Sequence, residues 1–310
     1  METQGLECTP ARPGRLPDFV VIGSAKAATN TLRRHLSAHP KVFVRDDEPS
    51  FYTYHRARGL DWYRSIHAGA ADDQLVGDIS THYSRLHWAE PTARQIAEVR
   101  PDTRIIYLMR EPVSRAYSNY LQLQDVADEP VSLEGLTFEQ AVELLPFIVD
   151  SSDYLAVLKA YLKHFPREQI LALLTEDLNN DPEAVVGRVL RFLGLEPTPG
   201  MTLDPTLRAN SRDRRVDGFL RTRLIGPVTR PRAIRALVKS LPDPVRIAAR
   251  EAFYGLMKRS PIGKRLEASH QPRPMAPETR ARLIERFSAT FPELAELTGN
   301  DLSPWLAKYR

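Results

Sequence analysis

The sequence predicts an α/β fold organised around a central, mainly parallel sheet. Three observations predict it. Apolar runs of strand length recur along the first 195 residues. Each is followed by a stretch of helix formers, and Gly or Pro marks the joins. Strand and helix in strict alternation bury both faces of a parallel sheet under helices.

Taken in order, residues 1–17 are rich in Pro, Arg and Gly, show no periodicity and read as a flexible leader. Phe19–Ile22 is a buried-strand run ended by Gly23, and Ala27–Leu36 follows as a helix. Gln74–Gly77 reads as a strand and Pro91–Val99 as a helix with Pro91 in its first turn. Arg104–Met109 is a strong strand, after which Pro112 opens a helix through Leu121. Asp153–Phe165 is helical, with Leu155, Leu158, Tyr161 and Leu162 on one face. Gln169–Leu174 is a strand, and Pro182–Leu193 is a helix closed by Gly194. Residues 196–218 read as loop, 219–259 as basic helix, and Glu278–Phe291 as an amphipathic helix with Leu283, Ile284, Phe287 and Phe291 inward. The expected organisation is a single domain over 18–310: an α/β core over 18–195 and a mostly helical C-terminal extension over 196–310.

Composition narrows the class. Hydrophobic residues are 42% and charged residues 26% of 310, enough for a substantial core and unlike a disordered or fibrous chain. One cysteine, Cys8, excludes an internal disulfide and a cysteine zinc cluster. The apolar runs Phe19–Gly23 and Ile105–Met109 are far too short to span a membrane. Glu2, Glu7 and Pro10 interrupt the place of a signal sequence, so the expected location is cytoplasmic. The net charge of +4 is carried mainly by 35 arginines and suits an anionic ligand without identifying one.

In open parallel sheets, ligands sit beyond the carboxyl ends of the strands. Two motifs start there. The first, Gly23-Ser-Ala-Lys26-Ala-Ala-Thr29-Asn30-Thr31, lies between strand and helix. A helix N-terminus offers unpaired amides and the positive dipole end to a phosphate. Lys26 adds a point charge, and Thr29, Asn30 and Thr31 add donors. The nucleoside-triphosphate loop G-x-x-x-x-G-K-[ST] is not matched, because Lys26 comes three residues after Gly23 and the second Gly is absent. The second motif, Arg110-Glu-Pro-Val-Ser114-Arg115-Ala-Tyr-Ser118, begins at another strand end, with Ser118 about two helical turns beyond Arg110. Two basic, hydroxyl-bearing sites on one sheet edge suit a ligand with two separated phosphates. The plain alternatives are an ordinary turn and solvated surface arginines.

Together these motifs resemble the sulfotransferase family that uses 3′-phosphoadenosine 5′-phosphosulfate (PAPS). Residues 19–32 are similar to its 5′-phosphosulfate loop, and residues 104–120 to its 3′-phosphate motif. Asp46-Asp47-Glu48-Pro49-Ser50-Phe51-Tyr52 resembles its Lys-Glu-Pro-His-Phe-Phe segment, and Gly77-Asp78-Ile79-Ser80-Thr81-His82-Tyr83 its Gly-Glu-x-Ser-Pro-x-Tyr segment. Glu176-Asp177-Leu178, Asp181-Pro182, Phe192–Leu195 and the tail Leu294–Trp305 also fit. The resemblance covers about residues 18–195 plus the end. Its Glu-Pro segment points to the glycan (heparan-type) and bacterial branch.

The resemblance implies a P-loop-like three-layer fold and particular roles. Lys26 contacts the 5′-phosphosulfate and its bridging oxygen. Ser24, Ala28, Thr29, Asn30 and Thr31 form the loop that holds the 5′-phosphate. Arg110 and Ser118 hold the 3′-phosphate, and Glu48 takes the place of the catalytic base, with His82 or Asp78 as alternatives. Asp78, His82 and Tyr52 are candidates to face the acceptor. Three positions depart from the family pattern. Ala28 replaces Gly, which restricts the loop backbone. Asp47 replaces Lys and Ser50 replaces His, removing positive charge and setting two carboxylates side by side, an arrangement expected to raise one pKa.

The implied reaction is in-line attack of an acceptor hydroxyl on sulfur, with a base assisting by ~10²–10⁴. The product is 3′-phosphoadenosine 5′-phosphate (PAP). The leaving group is already a phosphate, so no metal is required. The expected acceptor is a hydroxyl-bearing carbohydrate or small molecule. The alternatives are a non-catalytic nucleotide- or polyanion-binding protein, suggested by Asp47 and Ser50, and an ATP-dependent small-molecule kinase, disfavoured by the missing Gly-Lys-Ser/Thr run.

Other features rank lower. Residues 208–235 hold nine arginines against Asp213 and Asp217, either a basic rim for an anion or a solvated basic segment. No nucleic-acid-binding motif accompanies them. Tyr52, Tyr54 and Trp62 offer a sugar-stacking wall, against core packing as the commoner fate of aromatics. The eight histidines show no metal-ligand spacing, and His35 and His39 read as ordinary residues of the first helix and its end.

Overall fold

The structure is a computed structural model, and it describes residues 14–125, 133, 135–196, 243–262, 264–265 and 273–309. Cys8, most of the leader and the arginine-rich segment 208–235 lie outside the described residues. The described residues fall into two compact units. One takes those within 14–119, 144–196 and 277–309, the other those within 120–143 and 243–276.

The first unit contains five parallel strands. They are β1 (Phe19–Gly23), β2 (Val42–Val44), β3 (Leu75–Ile79), β4 (Arg104–Met109) and β5 (Ile170–Leu174), in the order β2-β3-β1-β4-β5. β1 is fully buried along its length, as a central strand covered on both faces must be. Phe19 and Val21 join Ile106, Leu108 and Leu173 in a core cluster on one face. Helices α1 (Thr29–Ser37), α8 (Thr175–Asn180) and α9 (Pro182–Phe192) close that cluster through Leu32, Leu36, Leu178, Val186 and Val189. Residues of the opposite parity, such as Tyr107, face helix α7 (Tyr154–Leu162), where Tyr107 and Tyr154 meet edge to face at 5.8 Å. Helix α3 (Leu86–Val99) packs beside α7, completing a three-layer unit. Phe19 and Gly77 are register partners, and a Cβ at Gly77 would lie 2.2 Å from the Phe19 ring, so only glycine admits that contact.

Most predicted elements are present with shifted ends. The helix expected at Pro91 starts at Leu86, with Pro91 inside it. Pro91 lacks an N–H, but this near the N-terminus only one ladder bond is lost. Glu278–Phe291 resolves into two helices, Pro277–Ser288 and Phe291–Thr298. Leu283, Phe287 and Phe291 are buried, while Ile284 is half-buried. Gly194 ends α9 at φ 76°, with Leu195 N–H donating to Leu190 O and Gly194 N–H to Arg191 O, a Schellman closure. The three-residue strand β2 and helix α2 (Gly59–Ser65) were not anticipated, being too short for a clear period. The helical end of the chain continues with Asp243–Arg259 and Ser303–Ala307.

Candidate active site at the β1–β4 edge

Strand order reverses at β1. Its own connection runs toward β3 and β2, whereas β4 leads away to β5. The crevice between the carboxyl ends of β1 and β4 is therefore the topological switch point, where this architecture binds ligands.

The loop after β1 is built to present its amides. Lys26 (φ 72°) and Ala28 (φ 64°) are both left-handed. The carbonyls of Ser24, Lys26, Ala27 and Ala28 are all taken from inside the fold. Ala27 N–H donates to Ser24 O, Arg110 Nη1 to Lys26 O at 3.2 Å, and Thr31 N–H to Ala28 O. Thr175 Oγ1 lies 2.9 Å from both Ala27 O and Met109 O, tying the loop to β4. The Thr29 and Asn30 amides, at the start of α1, meet no acceptor among the described residues. No side chain caps α1, and its first turn has no acidic residue. Ser24 is fully buried behind the loop, with its N–H on Leu108 O. It braces the loop and does not reach the crevice. Thr29 is largely buried and Asn30 Oδ1 accepts from Arg33, so these two offer mainly backbone, whereas Thr31 is largely buried with its own N–H on Ala28 O, contrary to the role expected of it.

The second motif is arranged differently. Glu111 folds back over the start of α4 (Pro112–Asp125), accepting from Val113 N–H at 2.7 Å, Ser114 N–H at 2.8 Å and the Ser114 hydroxyl. The terminus of α4 is thus satisfied internally. Arg110 supplies a side chain to the crevice, and Ser118 lies two turns along α4, largely buried. Arg115 is fully buried and bonded to Ser152 Oγ and Ile148 O, away from the surface role open to it by sequence. Burial lowers its pKa.

Glu48 comes from the segment after β2. Its Oε2 accepts from Thr81 N–H and Thr81 Oγ1, both at 2.9 Å, and its side chain keeps 28% exposure. His82 Nδ1 lies 3.8 Å from Glu48 Oε2 and 3.2 Å from Ser50 Oγ. A histidine ring from the other segment thus stands beside Ser50 and Glu48. Burial lowers the His82 pKa to about 4, helped by the nearby Arg85 cation, so His82 is neutral near pH 7. Asp47 turns away to Arg45, with bonds of 2.7 and 2.9 Å. That pairing lowers the Asp47 pKa, opposite to a rise at that residue from adjacent carboxylates, because the Arg45 bond outweighs the cost of partial burial.

Asp78 is fully buried. It accepts from Tyr63 OH at 2.6 Å, Tyr83 OH at 2.8 Å and Ser80 Oγ at 2.5 Å, and burial raises its pKa to about 6. No face of this carboxylate is open to an acceptor. Instead Ser80 also receives Ser50 N–H at 2.9 Å, so Asp78 braces the Glu48 segment against β3. Tyr52 is likewise in the core, against Phe51, Tyr63 and Tyr83, whereas Tyr54 is 51% exposed with its ring edge on His82. His39 ties Lys41 N–H to Glu196 O, a structural bridge. Among the described residues no group of three His, Cys, Asp or Glu is placed to hold a metal ion.

Sequence reasoning missed Tyr154, Thr175 and Glu111. Tyr154 and Thr175 carried no local signal, since they come from distant elements, Tyr154 from the start of α7 and Thr175 from the start of α8, directly after β5. Glu111 had one, a carboxylate directly before a helix-opening proline.

A parallel sheet with an open helix terminus, a lysine and an arginine at its switch point defines the class: a P-loop-like fold whose sheet edge suits a phosphate-bearing ligand. The chain belongs to the sulfotransferase-domain family, whose model matches residues 16–213. It is 33% identical over 189 residues to heparan sulfate glucosamine 3-O-sulfotransferase 3B1 of Homo sapiens, covering 59% of this chain and 47% of that protein. It is 29% identical over 217 residues to the bifunctional heparan sulfate N-deacetylase/N-sulfotransferase 2 of Homo sapiens, covering 63% of this chain and 23% of that protein. The chain thus spans about half, or less, of the curated relatives it matches. A sulfotransferase from Alicyclobacillus acidocaldarius shares the fold, with TM-score 0.60, 22% identity, and coverage of 94% of this chain and 99% of that one. No helix among the described residues is long and apolar enough to cross a membrane.

Proposed function

We propose that the protein transfers the sulfonate of PAPS to a hydroxyl of a carbohydrate or small-molecule acceptor. The observation that carries this is the open start of α1 facing Arg110 across the switch point. Two anion sites separated along one crevice fit a nucleotide phosphorylated at both 3′ and 5′ positions.

PAPS supplies a sulfonate bonded to a phosphate leaving group: the acceptor oxygen–sulfur bond forms as the sulfur–phosphate oxygen bond breaks. The Thr29 and Asn30 amides hold the 5′-phosphate, and Lys26 stabilises charge growing on the bridging oxygen. Arg110 and Ser118 hold the 3′-phosphate. Glu48, fixed through one oxygen by Thr81, takes the acceptor proton with the other. A second base is favoured by one observation, the neutral His82 ring beside Ser50 and Glu48. The relatives named for heparan sulfate support a saccharide acceptor.

Calorimetry with PAP, followed by labelled PAPS across saccharide and small-molecule acceptors, tests the proposal. Absence of PAP binding refutes it, and binding without transfer to any acceptor supports a non-catalytic protein. Glu48→Gln keeps the Thr81 bonds and is expected to slow transfer by ~10²–10⁴ with PAP affinity unchanged. If His82→Asn instead causes the larger loss, the base is His82.

A further inference from the structure

Residues 305–309 return to the second anion motif. Tyr309 OH donates to Glu111 Oε1 at 2.6 Å, the carboxylate that caps α4. Lys308 Nζ reaches Glu176 Oε1 at 3.1 Å, and the same oxygen accepts Glu111 N–H at 3.2 Å. From the other side, Tyr154 OH donates to Arg110 O at 2.6 Å and accepts from Arg110 N–H at 3.3 Å. One phenol thus grips both backbone polar groups of the arginine at the end of β4.

The two grips are joined through rings. Tyr154 packs on Trp305 at 5.8 Å, Trp305 on Phe291 at 5.4 Å, and Phe291 stacks on Tyr309 at 6.1 Å. Trp305 is fully buried. The chain of contacts closes on itself at Arg110–Glu111, the two residues that aim the arginine and start the helix bearing Ser118. A phosphate held by one arginine and one hydroxyl on different turns needs both fixed before it binds, since ordering them on binding would weaken it.

We infer that Tyr154 and Tyr309 are positioning residues for the 3′-phosphate, with the tail Trp305–Tyr309 serving as a clamp on the Arg110–Glu111 peptide. This inference rests on the proposed use of PAPS. Neither hydroxyl touches the ligand in this scheme. Each acts through the Arg110 backbone or the Glu111 cap.

Affinities of adenosine 3′,5′-bisphosphate and adenosine 5′-phosphate, measured by calorimetry or competition on the full chain, separate this role from a merely structural one. Tyr154→Phe is expected to weaken the bisphosphate about tenfold and Tyr309→Phe about threefold, magnitudes of ordinary hydrogen bonds. Adenosine 5′-phosphate, which lacks the 3′ group, is expected to change less than about twofold, by the same reasoning. Thermal melting checks folding. Should Tyr154→Phe fail to fold, Tyr309→Phe, which keeps the ring on Phe291, decides alone. Unchanged bisphosphate affinity in the folded variants overturns the inference, as does equal loss of both ligands. If the wild-type chain binds no bisphosphate, the functional reading fails and this inference with it.

Discussion

Helices α1 and α4 both begin at the carboxyl edge of the sheet, on the adjacent strands β1 and β4, and each starts with amides that the helix itself cannot satisfy. In α4 the preceding residue supplies the acceptors: Glu111 takes two amides and a hydroxyl. In α1 the preceding residue is Ala28, whose side chain has no acceptor, and its first turn carries no acid. A terminus already holding a carboxylate repels a second anion, whereas an open one attracts it. Under the proposed use of PAPS, the two motifs, so alike in place and composition, would therefore hold anions by different means, the first through backbone and Lys26 and the second through the side chains of Arg110 and Ser118.

That contrast can be broken most severely at Lys26. Lys26→Ala is expected to reduce turnover by about 10²–10³, since charge stabilisation at the leaving oxygen is lost, with little change in melting temperature. An unchanged rate would refute the role of the first loop. Arg110→Ala is expected to weaken adenosine 3′,5′-bisphosphate by roughly 10–100-fold, the worth of charge-assisted hydrogen bonds, while adenosine 5′-phosphate binds nearly as before. Equal losses in calorimetry would place both phosphates at one site.

Smaller effects concern the termini themselves. Glu111→Ala uncaps α4 and is expected to lower unfolding free energy by about 0.5–2 kcal/mol in urea titrations. If stability holds, the cap is not what distinguishes the two helices. Ala28→Gly removes a Cβ from a left-handed position and is expected to raise stability by about 1 kcal/mol with transfer retained. Destabilisation would show that the loop does not keep this conformation.

Much of the fold was legible because its strands are apolar throughout and its helices begin at prolines or end at glycine. β1, β4, β5 and α9 were readable on those grounds. β2 was not, because three residues carry no period, and neither were the helices between 59 and 65 and between 86 and 90, where apolar spacing is weak. Within the site, Lys26, Arg110 and Glu48 were legible as motif members. The fate of Asp78 and Tyr52 was not. Each sits in a segment that resembles a site, yet both are in the core, Asp78 fully buried within β3 and Tyr52 packed against Phe51, Tyr63 and Tyr83. Asp78 exchanges solvent for three hydroxyl donors, a set drawn from positions 63, 80 and 83 that no local pattern announces.

By itself, the sequence determined the alternation of strands and helices, and with it a parallel sheet having ligand loops at one edge. Local preferences and periodicity suffice for that. Tertiary structure decided which helix start stays open, which carboxylate faces the crevice and which is buried, and how residues 305–309 reach Glu111. Those outcomes depend on contacts between residues far apart in the chain, where desolvation and hydrogen-bond geometry, not local propensity, choose the partner.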